Sequence, residues 1–248
     1  MKKWRSCWTI STLTLRTASA GMKREKRRTE MFLKINEFKK AMKSALKTSG
    51  GLIIGNVKGH FLVHTSLWGV WVESVYATSK FKAAIVELIG DMPEEETCYR
   101  YHLEEKNLKM EYQIRYEDPY DQWKEAKDFA CEVPLAFYST PHELSIYQSK
   151  SDRSYITVLQ SYAAGMMSPS ELEAGMEHMP GRPSVSPAGS TLYFKSETMI
   201  YWISIVKVPQ KAEDTIFRYL RGLDFFEDDW LPKKDEQETE EAAEALPY

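Results

Sequence analysis

Four lysines, Lys39, Lys40, Lys43 and Lys47, recur at spacings that bring them to one side of a helix. Ammonium groups in such a row suit contacts to successive phosphates of a nucleic-acid backbone, which ask for positive charge at intervals rather than for a shaped pocket. Lys80 and Lys82 extend the charge if a second helix lies beside the first. Lysines also decorate exposed helices for solubility, so the row by itself does not separate the two uses.

The remaining reactive side chains form no familiar constellation. His60 and His64 lie in strand sequence, where four residues span about 13 Å, too far for both to ligate one metal directly. Cys131 and His142 supply a thiol and an imidazole without the surroundings of a nucleophile–base pair. Gly51, Gly55 and Gly59 fall within strands and a turn, with no helix start behind them, and so make no phosphate loop. Trp68, Trp71, Trp123 and Trp202 could stack bases, but sheet-face packing is the commoner use of such residues. No catalytic residue, no metal site and no cofactor are read from the sequence, and the chain reads as non-enzymatic.

The elements that would position the lysines are legible from periodicity. Phe32–Ile35 reads as a short strand and Asn36 as the N-cap of a helix whose apolar face is Phe38, Ala41, Met42, Ala45 and Leu46, stopped by Gly50–Gly51. Leu52–Ile54, an Asn56–Gly59 turn, the alternation Phe61, Val63, Thr65, and then Trp68, Val70, Val72 read as strands. Thr78 or Ser79 caps a second helix with Phe81, Ala84, Ile85, Leu88 and Ile89 inward and Gly90 at its end. Cys98–Leu103 and Leu108–Tyr116 read as a hairpin around Glu105–Asn107. FKKAMKSAL at 38–46 and FKAAIVELI at 81–89 match in apolar pattern, so residues 31–117 read as one strand–helix–hairpin unit used twice.

Beyond a polar connection at 117–128, with a helical turn from Trp123 to Phe129, strands are expected at Pro134–Tyr138, Glu143–Gln148 and Tyr155–Tyr162. A long loop over 165–190 carries Met166, Met167, Met176 and Met179 as adaptable contact residues. A hairpin follows, Thr191–Lys195 with Met199–Val208. A third helix, Gln210–Arg221, turns Ala212, Thr215, Ile216, Tyr219 and Leu220 inward and stops at Gly222.

Charge divides the chain. Of 33 Lys and Arg, nine fall in residues 1–30 against two Glu, which leaves the rest acidic although the net charge of all 248 residues is only −3. Any nucleic-acid surface on the body is therefore a local patch. Residues 1–30 read as a disordered basic leader. Lys26-Arg27-Arg28 before Met31 is what a purine-rich ribosome-binding sequence would encode, which places the natural start at Met31. Residues 227–248 read as an acidic, disordered tail. Three cysteines suggest no disulfide framework, and no apolar run reaches the roughly 20 residues of a membrane span. The expected setting is cytoplasmic.

The run Ala77-Thr78-Ser79-Lys80-Phe81-Lys82-Ala83-Ala84-Ile85-Val86-Glu87-Leu88-Ile89, followed by a strand, a Glu-Lys-Asn turn and another strand, resembles the repeated unit of DNA sliding clamps. The resemblance covers about residues 31–117. It implies helices that line a surface facing DNA. The fold expected is α+β: a clamp-like domain over 31–130 built from the duplicated strand–helix–hairpin unit, then a β-rich domain over 131–226 closed by a C-terminal helix. The expected function is a DNA-associated accessory protein of a bacterium, phage or mobile element, with DNA or a DNA-processing complex as partner and Lys39, Lys40, Lys43, Lys47, Lys80 and Lys82 as its contacts. The alternative is a protein-binding inhibitor or adaptor that uses the 165–190 loop and the acidic tail. The sequence does not set the oligomeric state.

Overall fold

The computed structural model describes residues 32–48, 50–103, 108–109, 118–139, 142–167, 182–208, 216–220 and 222–226. The leader, the tail, the Glu105–Asn107 turn, most of the 165–190 loop and the first part of the third helix lie outside them.

A lone bridge, Leu33 to Met167, stands where a strand over Phe32–Ile35 was expected. The Lys34 N–H donates to the Met166 carbonyl at 2.9 Å, so a distant segment fixes the approach of the chain and helix α1 (Ile35–Ala45) begins at once. Lys34 takes the cap position in place of Asn36 and offers no side-chain cap bond. The helix also ends at Ala45, before the glycine pair that was expected to stop it. Gly51 serves another purpose: at φ +65° it runs so close to the backbone of Tyr101 that an added Cβ would lie 2.6 Å from the Tyr101 carbonyl oxygen.

Strands β1 (Leu52–Val57), β2 (His60–His64) and β3 (Trp68–Glu73) follow as antiparallel neighbours. Lys58 and Gly59, both at positive φ, make the tight turn between the first two. Helix α2 (Ser79–Ile89) starts where Thr78 Oγ1 accepts the Phe81 N–H, and it ends at Gly90 with φ +93°. Strand β4 (Thr97–Tyr101) returns beside β1 and carries β5 (Leu108–Lys109) on its far side.

The second half departs further from expectation. Helix α3 (Pro119–Glu125) begins four residues before the expected helical turn, because Asp118 caps it and Pro119 supplies a ready first turn. Strand β6 (Asp128–Ser139) is twelve residues long, and the 130/131 boundary falls inside it. It pairs with β7 (His142–Ser149), which pairs with β8 (Tyr155–Leu159). The strand expected to run on to Tyr162 turns instead into helix α4 (Gln160–Met166). Ala163 and Met166, three apart, drop into the core, a spacing a strand could not use. Met166 and Met167 are thus buried, not available as loop contacts. Strands β9 (Ser184–Val185), β10 (Thr191–Lys195) and β11 (Met199–Ser204) complete the order β5-β4-β1-β2-β3-β11-β10-β9-β6-β7-β8, eleven strands in one run. Residues 216–220 are helical, with Leu220 buried and Tyr219 79% exposed, the opposite of the inward position expected for it.

Each face of this antiparallel sheet is covered. Helices α1, α2 and α4 share one core with Phe61, Val63, Trp68, Val70, Val72 and Tyr201. On the other face α3 lays Tyr120, Trp123 and Ala126 over Leu62, Trp71, Tyr193 and Ile200. A third cluster joins Val133 and Ile146 to Leu220 and Phe225. At the end of the sheet, the Thr157 carbonyl of β8 accepts the Val206 N–H at 2.8 Å, and the Thr157 hydroxyl donates to the Val206 carbonyl at 2.5 Å.

Candidate nucleic-acid interface

Two phenyl rings set the geometry of the lysine-bearing surface. Phe38 and Phe81 each begin the apolar face of their helix, and they stack with centroids 5.4 Å apart and planes 15° from parallel. Trp68 meets Phe38 edge-on at 6.0 Å, and all three rings are almost wholly buried. With these rings in contact, α1 and α2 lie against each other on the same side of the sheet, and the apolar positions expected to point inward do so.

The opposite stripe of α1 faces out. Lys39 and Lys43, one turn apart, both reach the carboxylate of Glu87 on α2: Lys39 bonds Oε2 and Lys43 lies 3.6 Å from Oε1. The hydrogen bond and charge of Lys39 hold the Glu87 carboxyl below its ordinary value, with Lys43 adding to the effect. Lys40 leans back on Glu37 at 2.8 Å, three residues earlier on its own helix. Lys47 is exposed just beyond the end of α1. Lys80 is exposed too, two helical turns before Glu87 and hence on the same stripe of α2. Lys82 departs from the group: its ammonium lies 5.6 Å over the Phe61 ring. Five of the six expected contact residues therefore fall on the outer surface of the α1–α2 pair, and the sixth sits at its flank.

Glu87 was not singled out in the sequence, although its place seven residues after Lys80 put it on that stripe. Its carboxylate is bridged by the two ammonium groups of Lys39 and Lys43. The balance of the surface stays positive. Residues 34–48 carry five lysines and one glutamate, and α2 carries two lysines and one glutamate.

The other expected groups lie elsewhere. His60 and His64 point to the face covered by α3, where His60 packs on Trp71 with ring centroids 4.6 Å apart and His64 lies 6.2 Å from Trp202. His60 Nδ1 and Trp71 Nε1 are buried with no hydrogen-bond partner among the described residues. Burial pushes the His64 imidazole below its ordinary value, against a pull in the other direction from the Thr65 carbonyl 3.4 Å from Nδ1. Cys131 meets Arg182 rather than His142. Trp68 and Trp71 are buried, and Trp123 and Trp202 are partly so. Among the described residues no three of His, Cys, Asp or Glu are grouped to hold a metal ion, and no helix is long and apolar enough to cross a membrane.

No protein-family model matches the chain, and no curated protein sequence matches it. Solved structures do. A Helicobacter pylori chain is matched over 71% of this chain and 62% of its own, at 7% identity and a TM-score of 0.30. A Thermotoga maritima chain is matched over 71% and 64%, at 9% identity and 0.30, and a Streptococcus pyogenes chain over 71% and 64%, at 6% and 0.29. All three are bacterial DNA polymerase β sliding clamps. The likeness to the clamps is weak, and this chain spans less than two thirds of the length of each.

Proposed function

We propose that this chain is a non-enzymatic, DNA-associated accessory protein that contacts backbone phosphates through the outer surface of α1 and α2. In this reading α1 with the β1–β2 hairpin and α2 with the β4–β5 hairpin are one unit used twice, and the duplication explains why two helices with the same apolar pattern share one sheet. The observation that carries the proposal is the convergence of Lys39 and Lys43 on Glu87 across the Phe38–Phe81 contact. It makes one charged surface out of two helices. A row of lysines on a helix that faced solvent alone would serve solubility equally well. Lysines gathered at a helix–helix groove, where a carboxylate already occupies an anion position, suit a polyanion.

The test is binding to a labelled duplex by fluorescence anisotropy at about 50 mM salt, for the native chain and for one with Lys39, Lys40, Lys43 and Lys47 all changed to Glu. Binding that weakens steeply with salt and disappears in the reversed chain supports the proposal. No binding by the native chain, or binding that survives the reversal, defeats it.

A further inference from the structure

The ammonium groups on the outer surface of α1 and α2 outnumber the carboxylates that meet them. Lys39 and Lys43 share Glu87, and Lys40 has Glu37. Lys47 and Lys80 are exposed, with no carboxylate partner among the described residues. With Lys34 and Lys82, the two helices and their ends carry seven lysines against two glutamates, a local charge of +5. Residues 31–226 hold 22 basic and 25 acidic side chains, a net of −3, so everything in them outside this surface sums to −8.

Residues 227–248 carry the complementary charge. Nine acids stand there against Lys233 and Lys234. Six of the nine, Asp235, Glu236, Glu238, Glu240, Glu241 and Glu244, fall within ten consecutive residues that contain no base. The tether is long enough. Phe225 packs with Val133 of β6 and Ile146 of β7, at one end of the sheet. Helix α4 touches both β7 and α1, so α1 lies about two helix widths, roughly 20 Å, from β7. The 18 residues from Phe226 to Glu244 span up to about 60 Å.

We propose that the acidic segment 235–244 docks on the α1–α2 surface of its own chain, an autoinhibitory contact that a polyanion must displace. Charge selects the surface, because the rest of the body repels the segment. Glu87 shows the contact on a small scale: one carboxylate reaches two ammonium groups a helical turn apart. The segment supplies further carboxylates to Lys47 and Lys80. Tethering makes weak pairing sufficient. At an effective concentration near ~1 mM, a segment whose free peptide binds with a Kd of ~100 μM stays docked and weakens competing binding about tenfold. The docking needs no nucleic acid, whereas its regulatory consequence rests on the phosphate-contact reading above.

Zero-length carbodiimide cross-linking of the full chain without DNA, read by peptide mass spectrometry, tests the docking directly. Amide links should join residues 235–244 to Lys39, Lys43 or Lys47 at about 50 mM salt and fade at about 500 mM. Links from 235–244 that go only to the basic residues 1–30, or no links to α1 and α2, overturn the proposal. Fluorescence anisotropy with a labelled duplex reads the consequence. A full chain with the six acids of 235–244 changed to Asn or Gln should bind about tenfold more tightly than the native chain. That gain should vanish when Lys39, Lys43 and Lys47 are also changed to Gln. A gain that persists without those lysines marks general repulsion between segment and duplex, and overturns the proposal. Cross-links to α1 in a chain that binds no duplex would defeat the phosphate-contact reading and leave the docked segment standing.

Discussion

The indole of Trp202 on β11 lies directly over Gly69 on β3, so close that a Cβ built on Gly69 would fall 2.0 Å from the ring. The two residues are register partners in the antiparallel pair that joins the first five strands of the sheet to the rest. The tryptophan fits there because its partner has no side chain.

Gly69→Ala should therefore destabilise the protein by about 1–3 kcal/mol, the usual range for overpacking at a well-filled site. Denaturant melts of Gly69→Ala, Trp202→Leu and the double variant form a cycle. The alanine should cost much less once the indole is gone, and equal costs in both backgrounds would mean that the ring moves aside freely.

Glu87→Gln should strengthen binding to duplex DNA, because Lys39 and Lys43 then lose the carboxylate that competes with phosphate. If both lysines take up phosphates, the log–log salt dependence steepens by roughly two units. Anisotropy titrations at several salt concentrations measure it. An unchanged affinity and slope would show that these lysines do not meet the polyanion.

His64 gives a pH dependence of known sign. Burial lowers its folded-state value below the ordinary 6.5, so the unfolded chain takes up a proton first as pH falls. Its contribution to stability is fully present above 6.5 and is lost progressively as pH drops below that value through the folded-state one. The denaturation midpoint should fall from pH 7 to pH 5, and His64→Gln should flatten that part of the profile. A parallel decline in the variant would assign the effect to other groups.

Thiol reactivity should separate two of the cysteines. Burial pushes the Cys98 thiol up to about 12, and Cys98 is almost fully covered in the sheet, whereas Cys131 is partly exposed beside Arg182. Iodoacetamide at pH 8 should label Cys131 well before Cys98, as read by peptide mass spectrometry. Cys98 should be labelled only at the rate of unfolding.

The parts of the fold written in local periodicity were legible. The inward faces of α1 and α2 could be named residue by residue, because Phe38, Ala41, Met42 and Phe81, Ala84, Ile85 keep a helical spacing that no strand shares. What local pattern could not contain was contact at a distance. Lys34 caps α1 because Met166 ties it down, a bond across more than a hundred residues. The run from Tyr155 reads as a strand as far as Tyr162, yet Ala163 and Met166 offer a helical face as well, and packing against α1 and β7 decides for the helix. The lysine row was visible in the sequence, but its Glu87 counterion depended on how two helices meet. Gln148, an unremarkable polar residue in a strand, gains its role only when residues 223 and 225 arrive beside it.

The bonds between Thr157 and Val206 have a consequence for self-association. An uncovered outermost strand is a template on which further chains can stack, with aggregation as the outcome. Here Val206, two residues past β11, already engages the middle of β8, so a newcomer on that flank would have to displace it. Growth of the sheet by recruitment of foreign strands is obstructed there by the protein's own chain.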